Sequence, residues 1–192
     1  MAIHKAICKL TSASAYSQSR KPRTPKNERE KDDAYDERVW RERMHVNDDG
    51  KIIIPAGALR MGLWEAAQYL GEKIPGKGNR TWAKKFESGV LILEDAVTGV
   101  NADDVECEEI FCSPNGKRGT GTRVSRRYPY IKAWDTEVEV ILTDTIIDQT
   151  VFLRVFRAFG QYIGIGRWRP ANLGMKGRFS VELIEWLENH EL

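Results

Sequence analysis

The apolar residues of this 192-residue chain repeat with two different periods, and the order of those periods limits the fold more than any other feature. In short segments every second residue is apolar, as in half-buried strands, and in two longer segments the spacing is that of amphipathic helices. Gly71 and Gly160 directly follow the two helical segments and are typical helix-ending residues. The pattern predicts strands over 3–10, 89–93, 136–143 and 178–184, and helices over 57–70 and 150–159.

This order of elements predicts an α+β fold with a ferredoxin-like (RRM-type) βαββαβ core and long insertions. In that fold both helices cover one face of the sheet, and the opposite face, which RNA-recognition modules use, stays free. The chain length suits a single domain, 1–192. We expect the insertions to be an arm over 11–50, with a short helix near 30–43, and a basic loop over 113–132. Two further short strands are predicted, over 51–54 and 109–112.

The composition is typical of a globular protein outside the membrane, with 41% hydrophobic and 30% charged residues. No apolar run reaches the roughly 18 residues of a membrane-spanning helix, and no secretory signal pattern opens the chain. Cys8, Cys107 and Cys112 are too few, and odd in number, for a disulfide framework. These observations predict a cytoplasmic protein without a membrane partner.

The charged residues are segregated along the chain, although the net charge is only +2. Residues 94–109 contain seven acids and no base, whereas 116–132 contain six bases and no acid, and 160–179 contain four bases and no acid. Such blocks create local electrostatic fields that the small net charge of the whole chain does not reveal. Two interpretations follow, a nucleic-acid-binding surface on the basic segments or complementary patches that bind a protein partner or another copy of the chain.

Residues 160–179 combine glycine, arginine and aromatic side chains between a predicted helix and the last strand. Glycine lets a backbone approach a ligand closely, arginine contacts phosphates, and Tyr162 and Trp168 offer stacking faces. This interpretation requires the segment to be open to solvent; in the alternative its arginines pair with the acids of 94–109. The predicted nucleic-acid-binding residues are Arg167, Trp168, Arg169, Lys176, Arg178, Lys117, Arg118, Arg123, Arg126, Arg127, Lys77 and Arg80.

Motifs for other chemistry are incomplete. Residues 71–78 resemble a phosphate-binding loop, but Gly78 stands where that motif needs Ser or Thr. Gly164 and Gly166 lack the third glycine of a dinucleotide fingerprint. The histidines and cysteines supply no four-ligand zinc set. We therefore predict no cofactor, no metal and no catalytic residue, and we interpret the acids of the arm as ion-paired rather than as a metal-dependent nuclease site.

Two segments resemble the RAMP superfamily of CRISPR-associated RNA-binding proteins. Residues 52–63, IIIPAGALRMGL, are similar to the family's IPGSSLKGxLR entry into the first helix, although Ala56-Gly57-Ala58 replaces Gly-Ser-Ser. The segment 160–179 matches the position of the family's glycine-rich loop. The long insert resembles that of the backbone subunits, which coat a guide RNA and polymerise along it. The chain is shorter than most such subunits, as a stand-alone, phage-encoded relative would be.

The resemblance implies RNA as the favoured ligand, since stacking and phosphate contacts alone serve RNA and DNA equally. Type III backbone subunits carry an RNA-cleaving aspartate in the insert, where this chain has Asp33 and Asp36; without a diagnostic neighbourhood that activity is not carried over. The leading hypothesis is non-catalytic binding of a single strand, with assembly along it into a homo-oligomer or larger nucleoprotein. The alternative is an interaction or anti-defence protein that binds a protein partner or self-assembles through its charged patches.

Overall fold

The computed structural model describes residues 2–113 and 123–191. It is a mixed α/β structure with antiparallel sheets. The strands are β1 (Ala2–Ser12), β2 (Lys51–Ile54), β3 (Val90–Leu91), β4 (Ala96–Asn101), β5 (Glu106–Cys112), β6 (Val124–Tyr130), β7 (Asp135–Leu142) and β8 (Phe179–Glu191), and the helices are α1 (Asp32–Val39), α2 (Ala56–Leu70), α3 (Ala83–Gly89) and α4 (Gln149–Ala158).

The central sheet has four strands in the order β3-β7-β1-β8, and each neighbouring pair is antiparallel. Alternate residues of β1 define its two faces, because Ala6, Cys8 and Leu10 are fully buried while the residues between them are partly exposed. The buried face belongs to one apolar cluster with Leu63 of α2 and Phe152 of α4. The two longest helices therefore cover one face of the sheet, as the sequence predicts.

The six core elements predicted from apolar periodicity are confirmed, and so are the short strands near 51–54 and 109–112 and the helix near 30–43. The basic loop predicted over 113–132 is wrong for 124–130, which form β6 and pair with β5. The sequence of β6, VSRRYPY, does not predict a strand, because two arginines interrupt the alternation of apolar and polar residues and Pro129 has no backbone N–H to donate. Helix α3 and strand β4 are also unpredicted. Lys117 and Arg118 lie outside the described residues.

The inserted arm is anchored to the core at its start. Tyr16, Ser17 and Gln18 are buried. The Gln18 amide donates to the Ile53 carbonyl at 2.8 Å, and its oxygen accepts from the His45 backbone N–H at 2.7 Å. A buried side-chain amide satisfied at both ends fixes the path of a chain that has few apolar anchors.

The free face of the central sheet is acidic. Its two central strands present Lys5 and Lys9 from β1 and alternate acids from β7, and salt bridges join Lys5 to Glu139 at 2.7 Å and Lys9 to Asp135 at 3.6 Å. Neither strand places an aromatic ring on this face. RNA-recognition modules stack bases on sheet aromatics. This face therefore lacks the side chains for that mode of binding.

Helices α2 and the end of α4 approach each other at a glycine. A Cβ built on Gly62 would lie 2.1 Å from atoms of the Phe159 ring, so only hydrogen fits there. Phe159 itself is fully buried and stacks on Phe156 with ring centroids 6.1 Å apart. It begins a single π-helical turn, Phe159–Ile163, that extends α4. The Gly62 contact thus fixes the point from which the chain enters the glycine-rich segment.

We expect Gly62→Ala to lower the free energy of unfolding by about 1–3 kcal/mol, the usual cost of overpacking a core. Gly57→Ala is the matched control in the same helix, because its Cβ would have no heavy atom within 4 Å. That substitution should stabilise by up to about 1 kcal/mol through helix propensity. Urea unfolding followed by circular dichroism measures both, and equal effects would contradict the close approach.

Candidate nucleic-acid interface

The hairpin of β5 and β6 is held against the arm by one buried carboxylate. Asp36 of α1 is fully buried, and its Oδ1 accepts from Arg43 at 2.9 Å and from Arg126 at 3.1 Å. Its Oδ2 accepts from the backbone N–H of Arg127 at 3.2 Å. Next to it, Glu37 forms an exposed pair with the Arg127 side chain at 2.9 Å. Asp36 therefore connects two segments about 90 residues apart in sequence.

Three segments distant in sequence meet in a stack of alternating cations and rings. The Arg167 guanidinium carbon lies 3.5 Å from the Tyr128 ring centroid and 4.4 Å from that of Trp168. The Arg43 guanidinium carbon lies 4.7 Å from the centroid of the same Tyr128 ring. The Lys176 ammonium lies 5.4 Å from Trp168 and 4.8 Å from Tyr130. We name this stack the cation–aromatic ladder; its members are Arg43, Tyr128, Arg167, Trp168, Lys176 and Tyr130.

Two glycines let the glycine-rich segment fold tightly on the protein itself. A Cβ on Gly166 would lie 2.4 Å from the Ser17 carbonyl oxygen, and one on Gly177 would lie 1.9 Å from that of Ile165. Gly177 also has a φ of +75°, which favours glycine. The sequence interpretation assigned these glycines to a close ligand approach. At both positions the backbone that comes close is the protein's own.

Arg167 is the central cation of the ladder and is half-buried. Its Nη1 atom is buried without a hydrogen-bond partner among the described residues. Burial lowers the pKa of Arg167 from its ordinary value, because the charged form loses hydration, while Tyr128 and Glu108 act in the opposite direction. An arginine in such a place keeps its charge at neutral pH. The ring faces of Tyr128 and Trp168 supply the compensating contacts.

Trp168 is the part of the ladder that solvent reaches. Its side chain is 38% exposed, so the indole is not packed into the interior. Its backbone adopts a left-handed conformation with φ of +56°, which is unfavourable for a residue with a Cβ. The Trp168 carbonyl accepts from the Lys176 N–H at 3.0 Å and closes the loop between them. Leu173 and Met175 on the same loop are each 79% exposed.

Most of the predicted bases in this region are paired with carboxylates. Arg169 pairs with Glu65 at 2.7 Å, and Lys176 hydrogen-bonds to Glu108. Arg126 and Arg127 pair with α1 as described, and Arg127 also approaches Glu109 at 3.9 Å. The alternative, in which the arginines of 160–179 pair with the acids of 94–109, is wrong for the described residues, because Arg169 pairs with Glu65 on α2 and neither Arg167 nor Arg178 forms a salt bridge there. Within 160–179 it is a lysine, Lys176, that contacts the acidic block, through Glu108.

The remaining predicted bases are distributed more widely. Arg178 donates to the carbonyls of Gln161 at 3.2 Å and Met175 at 3.4 Å. Arg123 is exposed at the start of the β6 segment. Lys77 and Arg80 are exposed in the loop between α2 and α3, which a salt bridge ties to α4 rather than to the ladder. Three members of the ladder were not predicted from the sequence: Arg43, Tyr128 and Tyr130. The local signal for the two tyrosines was the alternation of aromatic residues in Tyr-Pro-Tyr on β6.

The acids of the arm do not assemble a metal site in the part of the chain that the structure describes, where no group of three or more His, Cys, Asp or Glu side chains converges. Asp32 instead pairs with Lys26 at 2.6 Å, and this hydrogen bond lowers the pKa of Asp32. No helix within residues 2–113 and 123–191 is long and apolar enough to cross a membrane.

No protein-family model matches the chain, and no curated protein matches its sequence. The fold is similar to a chain in the cryo-EM structure of the type III-B Cmr-beta bound to cognate target RNA, with a TM-score of 0.59 and 12% identity. That alignment covers 98% of this chain and 62% of the other, so this chain spans less than two thirds of its neighbour. The crystal structure of Cmr6 from Pyrococcus furiosus aligns with a TM-score of 0.48 and 11% identity, over 94% of this chain and 99% of that one. The first likeness, at this identity, shows a shared fold.

We expect Asp36→Asn to lower the free energy of unfolding by about 3 kcal/mol, because it leaves two partly buried guanidinium groups without a carboxylate. The neighbouring Glu37→Gln is the matched control, since an exposed pair contributes less than about 1 kcal/mol. Urea unfolding at neutral pH measures both changes. Equal, small losses would show that Asp36 does not hold the arm to β6.

Proposed function

We propose that the chain is a RAMP-like protein of one domain that binds single-stranded nucleic acid, RNA in preference to DNA, without cleaving it. The cation–aromatic ladder is the observation that carries this proposal. It presents a partly exposed indole close to two cations, Arg167 and Lys176, and aromatic rings next to positive charge are what successive bases and phosphates of a single strand contact.

The fold supports the same assignment. The strand order β3-β7-β1-β8, with α2 between β1 and β3 in sequence and α4 between β7 and β8, supports the proposal of a ferredoxin-like βαββαβ core. The arm and the β5–β6 hairpin are then insertions into that core. The fold's similarity to a chain of the Cmr-beta structure, which is bound to cognate target RNA, agrees with an RNA ligand.

The strand lies on the ladder side of the molecule rather than on the free face of the sheet. Phosphates are repelled by the acids of β7 on that face, whereas the glycine-rich segment that supplies Arg167 and Trp168 to the ladder also carries Lys176 and Arg178. In the paired bases, each arginine keeps donors that its carboxylate does not use, since a guanidinium has five N–H groups. Trp168 stacks on a base, and Arg167, 4.4 Å from the indole centroid, helps to hold the ring in place.

A second candidate function follows from the acidic sheet face. Exposed apolar side chains border it, with Leu93 72% and Ile184 51% exposed, so it has the chemistry of a surface for a basic protein partner or for another copy of this chain. Light scattering with and without nucleic acid separates the two functions. Polymers of protein alone favour the second, and assemblies that require nucleic acid favour assembly along a strand.

We expect Trp168→Ala to weaken binding of a fluorescently labelled single-stranded RNA about 5- to 100-fold, the usual effect of removing one stacking ring. The affinity of the unmodified protein should fall as salt rises, because phosphate contacts release condensed counterions. Fluorescence anisotropy at two salt concentrations measures both effects.

Trp64→Ala is the matched control, since it removes the same side chain from α2, outside the ladder, and should leave the affinity unchanged. Lys9→Ala on the acidic sheet face should also have no effect. Absence of binding at the lower salt concentration would overturn the proposed function.

A further inference from the structure

A pair of stacked tyrosines stands on the surface next to the glycine-rich segment. The rings of Tyr69, near the end of α2, and Tyr162, in the π-helical turn, have centroids 5.3 Å apart and planes 27° apart. Their side chains are 61% and 43% exposed. Neither ring belongs to the buried apolar cluster, so the pair contributes little to the core. Two large rings that stack on each other at the surface form a preformed stacking platform.

This platform forms one wall of an open cleft with a volume of about 620 Å³. The other walls come from the side of α2 and from the glycine-rich segment, including Pro170 and Ala171. A volume of this order accommodates a nucleotide-sized ligand. The cleft is therefore large enough for one base with its sugar.

The polar groups of the cleft match the edge of a base. Gln68 and Gln161 each offer an amide, which both donates and accepts hydrogen bonds as nucleobase edges do. Arg178 reaches the cleft with its guanidinium supported by two carbonyl oxygens, and no carboxylate pairs with it among the described residues. Its charge is therefore available to a phosphate. Glu65, the one acid in the lining, is already paired with Arg169.

A second groove continues from the first and shares Gln161 and Tyr162 with it. It runs along α4 and is lined by Arg154 and Arg157, of which Arg154 pairs with Glu72 at 2.7 Å. Arg157 is exposed. A chain of phosphates leaving the first cleft would follow this groove past a positive side chain.

We infer that this cleft binds one unpaired nucleobase of the bound strand, stacked on the Tyr69–Tyr162 pair with a phosphate at Arg178. The inference rests on the proposed function and adds a second base-binding position to it. The glycine-rich segment links the two positions, because it supplies Arg167 and Trp168 to the ladder and Arg178 to the cleft. A single strand that crosses this segment meets a stacking surface at each place.

The test uses the full chain with an oligo(U) RNA that carries 4-thiouridine at one position at a time. Ultraviolet crosslinking followed by mass spectrometry should place crosslinks on the peptide that contains Tyr162, as well as on the one that contains Trp168. Tyr162→Ala and Tyr69→Ala should each weaken RNA affinity about 5- to 100-fold, whereas Tyr162→Phe, which keeps the ring, should retain it. Leu93→Ala, an exposed apolar truncation on the other side of the sheet, is the control for a nonspecific loss.

The outcomes separate this inference from the proposed function. If the unmodified protein binds no RNA, both are wrong. If it binds RNA and loses affinity in Trp168→Ala, but both tyrosine-to-alanine variants bind normally and no crosslink maps to Tyr162, the cleft inference alone is wrong. A Tyr162→Ala variant that changes self-association in light scattering without changing RNA affinity would assign the cleft to a protein contact and also overturn the inference. Circular dichroism confirms that each variant is folded, and Tyr162→Phe reports on stacking without removing a ring.

Discussion

The buried carboxylate of Asp36 is the interaction on which the functional surface depends. Two guanidinium groups and a backbone N–H converge on it, so the arm and β6 have a common anchor. Arg43 then serves twice, because it also lies 4.7 Å from the Tyr128 ring at one end of the ladder. Without the carboxylate, the guanidinium groups of Arg43 and Arg126 would repel each other in a partly buried site, and the arm would lose its connection to the hairpin. The geometry of the ladder therefore depends on the ion-pair cluster centred on Asp36.

The acids and bases that are segregated along the sequence are largely paired with each other in the described structure. Much of the basic segment is neutralised by acids that the fold brings beside it, as in the pairs Lys132–Glu106 and Lys176–Glu108. The number of bases in the sequence therefore overstates the number of phosphate contacts. We expect the salt dependence of binding to reflect a few contacts, with ring stacking supplying much of the remaining free energy. Under the proposed function, the acids on the free face of the sheet would repel a strand, whereas the rings and cations of the ladder would attract it.

The elements of the core could be predicted because each one is encoded by the spacing of apolar residues within its own segment of the sequence. Apolar residues at strand and helix spacing define β1, α2, β7, α4 and β8, and this spacing depends only on neighbours in sequence. The site could be predicted in part, since glycine, arginine and tryptophan together marked residues 160–179. The rest depends on long-range contacts. The pairing of Asp36 with Arg126 and the stacking of Arg167 on Tyr128 join residues that only the folded chain brings together, and no local pattern records them.

The fit of the Phe159 ring against Gly62 has a consequence for the thermodynamics of recognition. This contact fixes the start of the glycine-rich segment, and Gly177 packs against Ile165 near its end, so the segment is anchored to the core at both ends. Under the proposed function, binding would therefore cost less conformational entropy in the protein than binding by a loop without such anchors, and most of the ordering would fall on the single strand. A loop anchored in this way selects ligands by shape. A ligand whose conformation does not fit the loop binds weakly, because the loop does not rearrange to form new contacts with it.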